Sequence, residues 1–112
     1  MKKGEIWWAS LPEPRGSEPG FRRPVVIVSS NEFNASRINT VLVATITSNL
    51  RLAQAPGNIK LTRKSSKLDQ DSVINVSQII TIDKSVLTEK VSKLNQQSFN
   101  LLNEGLLLVM GL

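Results

Sequence analysis

Apolar residues in this chain fall into short alternating or continuous runs for most of its length, and into a helical repeat only near the end. Ile6 to Leu11 reads as a first strand, and Val25 to Val28, a β-branched run after Pro24, reads as a second, buried one. Pro24 suits the first position of a strand, where a missing N–H costs no ladder bond. The two strands are expected to pair across the loop Pro12 to Arg23, a long connection for a compact domain and therefore of functional interest. Ser30 to Arg37 is polar and predicts a turn with at most one turn of helix. Thr40 to Thr47 (TVLVATIT) is strongly β, with Leu42, Ala44 and Ile46 on one face and Val43, Thr45 and Thr47 on the other.

Leu50 to Gly57 carries the turn signal Pro56-Gly57, Asn58 to Thr62 is a short strand, and Arg63 to Asp71 is a polar, basic loop. Ser72 to Ile82 (SVINVSQIITI) is a third strong strand. Strict alternation puts Ile74, Val76, Gln78, Ile80 and Ile82 on its core face, opposite Val73, Asn75, Ser77, Ile79 and Thr81. Gln78 among apolar neighbours must be hydrogen-bonded inside or face a groove. From Asn95 the period changes. Asn95 is a capping residue, Phe99, Leu102, Leu106 and Val109 share one helical face, and Gly111 is a stop signal. Several strands followed by one helix predict a mainly β (α+β) fold, a small barrel or half-barrel with a C-terminal helix, in one domain spanning residues 1–112.

Composition narrows the chemistry. The 112 residues contain no cysteine, which excludes disulfides and thiolate metal sites, and no histidine, which removes the usual proton-transfer group and the commonest metal ligand. Tyrosine is absent too, so catalysis would rest on Arg, Lys, Asp, Glu, Ser, Thr or backbone groups. Fourteen Lys+Arg against nine Asp+Glu give a net charge of +5, which favours polyanions or an acidic protein partner. The N-terminus MKKGEIWW has no continuous apolar segment of a signal peptide, and Leu106 to Met110 is far too short to span a bilayer. A soluble, cytoplasmic protein without a membrane partner is expected.

The loop Pro12 to Arg23 holds the most concentrated chemistry. Arg22 and Arg23 close it with two permanent planar charges suited to phosphate, and Gly16 and Gly20 leave backbone N–H groups uncovered beside a stiffening Pro19. Ser17 and Glu18 add a hydroxyl and a carboxylate at the tip. Thr47 ends its strand beside Ser48 and Asn49, three side chains able to donate hydrogen bonds, although threonine and serine also simply favour strand ends. Of the adjacent Trp7 and Trp8, one is expected in the core and the other outward, where it could stack on a base or pack at a rim. Lys60, Arg63, Lys64 and Lys67 form a basic strip, ordinarily no more than a solvated loop, which would lengthen the electrostatic footprint if the chain binds RNA.

Three segments, GEIWWASLPEPRGSEPGFRRPVVIVSSN, TITS and LDQDSVINVSQIITIDKSVLTEK, with a final helix ending in MGL, resemble the MazF/PemK family of toxin endoribonucleases over nearly the whole chain. The resemblance implies an SH3-like β-barrel of the MazF/PemK/CcdB type, a homodimer, a cognate acidic, MazE-like antitoxin, and sequence-selective cleavage of single-stranded RNA with no metal and no cofactor. It implies Arg23 and Thr47 as the catalytic pair, and Ser17, Glu18 and Gln78 as residues that approach RNA. Arg22 and Ser48 join them as expected RNA contacts, by charge and by position. Such a pair suits a histidine-free nuclease, because an RNA 2′-OH attacks its own phosphate and the protein need only stabilise charge. The alternative is a CcdB-like toxin that inhibits DNA gyrase by binding. CcdB relies on a Trp-Gly-Ile ending, whereas this chain ends Met110-Gly111-Leu112. An SH3-like adaptor without activity is a third reading.

Overall fold

A computed structural model describes residues 1–12, 16 and 21–112. Its strands are β1 (Glu5–Leu11), β2 (Phe21–Ile27), β3 (Thr40–Thr47), β4 (Ile59–Leu61), β5 (Ser72–Asp83) and β6 (Leu87–Lys93). Two short helices, α1 (Asn31–Ala35) and α2 (Arg63–Ser66), lie between strands, and α3 (Gln96–Met110) closes the chain. The strands form one antiparallel sheet in the order β4-β5-β3-β2-β1-β6, curled into a half-barrel. The ends of this order, β4 and β6, are bridged through α2, where the Ser92 hydroxyl donates to the Ser66 carbonyl at 2.5 Å.

Both faces of the sheet carry a buried apolar cluster. On one, Ile6, Val26, Ala44, Ile46, Ile74 and Val76 pack with Leu102 of α3. On the other, Ala9, Leu11, Val25, Ile27, Val41, Val43 and Ile82 pack with Leu87. Strands covered on both sides read as continuous apolar runs, which is why VVIV and TVLVAT show so little alternation.

The helix α3 begins and ends where its capping residues demand. The Asn95 side chain accepts from the Ser98 N–H at 2.8 Å, and Gly111 takes the left-handed conformation (φ +71) that donates its N–H to the Leu107 carbonyl. Leu102 is fully buried and Phe99 and Leu106 pack against the core, but Val109, expected on the same face, is 41% exposed. The last turn is exposed from Leu107 to Met110, with Leu107 and Met110 bordering a cavity shared with Val28, Leu42 and Ile79.

Other expectations are corrected. β2 starts at Phe21 rather than Val25, because β1 pairs with it from Leu11↔Phe21 onward. Pro24 is tolerated inside the strand because the ladder to β3 begins only at Val25↔Thr45. The basic loop Arg63 to Asp71 includes α2, capped by the Thr62 hydroxyl and ended by Lys67 in the left-handed region (φ +63). β6 carries no readable pattern: it is an edge strand with Thr88, Glu89 and Lys90 exposed and two register shifts against β1.

The core face assigned to β5 holds for only half the strand. A bulge between Ala44↔Ile79 and Thr45↔Asn75 leaves Val76, Ser77 and Gln78 unpaired with β3 and reverses the alternation. Ile74, Val76 and Ile79 therefore join the α3 side, while Ile80 and Ile82 join the opposite cluster. The two tryptophans are also both half-buried, one against each cluster, since neither face of the sheet is left to solvent.

Candidate functional site

Antiparallel pairing brings together residues far apart in sequence at the ends of β2 and β3. The β2–β3 ladder ends at Val25↔Thr45, so Arg23 and Thr47 each stand two residues beyond its last pair at the same end of the sheet, on the face that alternation gives to Val25 and Thr45. Both side chains are half-buried. The Thr47 Oγ1 accepts the Asn49 N–H at 3.2 Å, which orients the hydroxyl and leaves its proton to donate outward. Among the described residues Arg23 has no hydrogen-bonding or ion-pair partner, so its forked donors are available to a ligand.

Alternation sends Arg22 to the opposite face. There its guanidinium stacks over the Trp8 ring, 4.2 Å from the centroid, and its Nη2 lies 3.3 Å from Glu89 Oε2. With both partners exposed, the ion pair contributes little to stability and acts mainly to aim the arginine. A cavity of about 260 Å³ wraps this strand end, lined by Trp8, Arg22, Arg23, Thr47 and Ser48 and further by Leu68, Asp69, Gln70 and Ser72.

The predicted site residues thus divide. Arg22, Arg23, Thr47 and Ser48 share one cavity. Gln78 lies outside that lining but on the Arg23/Thr47 face, put there by the bulge in β5, and its Oε1 accepts from the buried Thr45 hydroxyl at 2.9 Å. Thr45 stands two residues before Thr47, so Gln78 connects to the pair through the strand that carries it. Ser17 and Glu18 lie outside the described residues.

Sequence reasoning missed the segment from Leu68 to Ser72. The one available signal was Leu68, a lone apolar residue in a polar loop, which proves to be a core anchor 6% exposed. Of the basic strip, Arg63 borders a second cavity of about 420 Å³ that shares Ser48, Asp69 and Gln70 with the first. Lys60, Lys64 and Lys67 line neither cavity, and Asp69 and Asp71 share the second one with Arg63.

The family described as "PemK-like, MazF-like toxin of type II toxin-antitoxin system" matches residues 2–110. Proteins named Endoribonuclease MazF2 from Mycobacterium bovis and Endoribonuclease MazF6 from Mycobacterium tuberculosis are each 42% identical over 112 residues, covering 100% of this chain and 98% of the relative. The fold is shared with an endoribonuclease in complex with its cognate antitoxin from Mycobacterial species (TM-score 0.81, 21% identity, 100% and 96% of the two chains). It is shared equally with MazF from Deinococcus radiodurans (TM-score 0.80, 18% identity, 100% and 97%). By family match over nearly its whole length and by close relatives over all of it, the chain belongs to the PemK-like, MazF-like toxins of type II toxin-antitoxin systems.

Proposed function

We propose that this MazF-family endoribonuclease toxin cleaves single-stranded RNA at a short preferred sequence, without a metal, by directing a ribose 2′-OH at the adjacent phosphate. The observation that supports the reading is that Arg23 and Thr47, each two residues beyond the last β2–β3 pair, line one cavity. In the reaction the 2′-oxygen forms a bond to phosphorus and the bond to the 5′-oxygen of the next nucleotide breaks, leaving a 2′,3′-cyclic phosphate and a 5′-OH. The guanidinium of Arg23 offers two N–H donors to the phosphorane oxygens, and the Thr47 hydroxyl a third. A preorganised donor aimed at developing charge is worth about 3–4 kcal/mol of barrier. Arginine keeps its proton, so the 2′-OH proton passes to another group, the Glu18 carboxylate or solvent.

Around this pair, Arg22 and Ser48 contact the RNA backbone from the same cavity, and Ser17, Glu18 and Gln78 complete the binding surface. The +5 chain acts in the cytoplasm as a homodimer, held inactive by an acidic antitoxin that occupies the RNA groove. Solved relatives of the same fold are described as complexes with a cognate antitoxin, which supports that partner. The CcdB-like reading is not favoured, since the 42%-identical relatives are named endoribonucleases. The test is cleavage in EDTA of a single-stranded RNA and of the same RNA with one 2′-deoxy nucleotide before the scissile bond. Cleavage of the first alone, with cyclic-phosphate and 5′-OH ends, is expected. Cleavage of both would exclude the 2′-OH mechanism.

A further inference from the structure

The segment between α2 and β5 is pinned along its length except at two side chains. Lys67 turns the chain back at the end of α2 with φ +63, and Leu68 plugs into the core with its N–H bonded to Ser66 Oγ at 3.2 Å. Asp71 Oδ1 accepts the Arg63 N–H at 2.7 Å, and the Ser72 hydroxyl donates to the Gln70 carbonyl at 3.0 Å. Between these anchors the side chains of Asp69 and Gln70 are exposed and have no hydrogen-bonding or ion-pair partner among the described residues. Both line the cavity that holds Arg23 and Thr47, and both line the neighbouring cavity beside Arg63, with Ser48 at the junction.

An exposed carboxylate on a pinned backbone, in a groove proposed for a polyanion, does not serve phosphate, which it repels. It can serve a base. Deepening the RNA-cleavage reading, on which this rests, we infer that Asp69 and Gln70 form a base-reading subsite next to the scissile phosphate, selecting an amino-bearing base and rejecting uracil. The carboxylate only accepts hydrogen bonds, so it fits the exocyclic amino groups of guanine, cytosine and adenine on their Watson–Crick edges. Uracil presents two carbonyl oxygens around a single N–H, and those oxygens face the carboxylate unfavourably. The Gln70 amide, donor and acceptor at once, complements the ring nitrogen beside the amino group, donating to it in adenine and cytosine and accepting from the N1–H in guanine.

A single-stranded RNA pool randomised around the cut and read by 5′-end sequencing tests this with wild-type, Asp69→Asn and Asp69→Ala proteins, in EDTA. The wild-type protein is expected to deplete uracil at one position of the cleaved sequence, and both variants to relax that depletion by about 10-fold, the scale of one good base contact. Thermal unfolding should leave both variants near wild type, because the Asp69 side chain is exposed and unpartnered. A wild-type sequence profile retained in both variants would overturn the subsite. So would an even loss of rate over all sequences, which marks a general electrostatic role. No cleavage by the wild-type protein would overturn the function itself, and the subsite with it.

Discussion

The Arg22 guanidinium lies 4.2 Å over the Trp8 ring while Glu89 holds it from β6 at 3.3 Å. An arginine that would otherwise sample many rotamers is thereby aimed along the cavity edge, and a phosphate need only displace a weak surface ion pair to reach it. Arg22→Ala is expected to weaken RNA binding and lower the salt slope by about 0.7, the share of one phosphate contact on a single strand. Trp8→Ala should cost about 2- to 5-fold in affinity, from a cation–π interaction of about 0.5–1 kcal/mol, with Trp8→Phe recovering part of it. Glu89→Gln removes the competing carboxylate and should raise affinity. Fluorescence titrations over a range of salt check all three, and an unchanged salt slope for Arg22→Ala would exclude the phosphate contact.

Gly105 marks where α3 presses on the turn before β4. A side-chain carbon at Gly105 would run into the Gly57 carbonyl oxygen, and Gly57 itself sits at φ +81. Backbone cannot yield as a flexible side chain does. Gly105→Ala is therefore expected to destabilise the fold by about 1–3 kcal/mol, visible as a lowered midpoint in denaturant.

Glu5 gives a pH dependence. Burial pushes its carboxyl upward, but hydrogen bonds from the Lys2 N–H, the Trp7 indole and Lys90, with the Lys90 charge, outweigh this and hold it below the ordinary value of 4.5. A carboxylate depressed in the folded state stabilises fully above its unfolded value, and that contribution disappears as pH falls through the folded one. Glu5→Gln should flatten the acid side of the stability curve below about pH 4.5 and leave its shape unchanged at neutral pH. Denaturant melts from pH 3 to 8 would show it, and parallel curves for both proteins would contradict it.

How much of this was readable beforehand follows from what each element depends on. Local signals located α3, because Asn95 and Gly111 act on their own neighbours, and β3, whose bounds Thr40–Thr47 match the apolar run. Long-range pairing decided what failed. β6 is a strand because the β1 edge needs a partner, the bulge in β5 arises from register against β3, and Pro24 is tolerated because of where the β3 ladder starts. At the site, the arginine pair and Thr47–Ser48 were legible as chemistry. The seat of Arg22 on Trp8 and the wall from Leu68 to Ser72 were not, because each depends on neighbours supplied by distant strands.

Arg23 and Thr47, which line one cavity at the ends of β2 and β3, are proposed to stabilise the cleavage transition state. Single-turnover cleavage of a single-stranded RNA in EDTA by wild-type, Arg23→Ala and Thr47→Ala proteins, each first shown to unfold at the wild-type midpoint, measures it directly. Loss of about 100- to 1000-fold in rate for each variant, with RNA binding weakened far less, is the predicted result. Wild-type rates in a folded Arg23→Ala protein would contradict it.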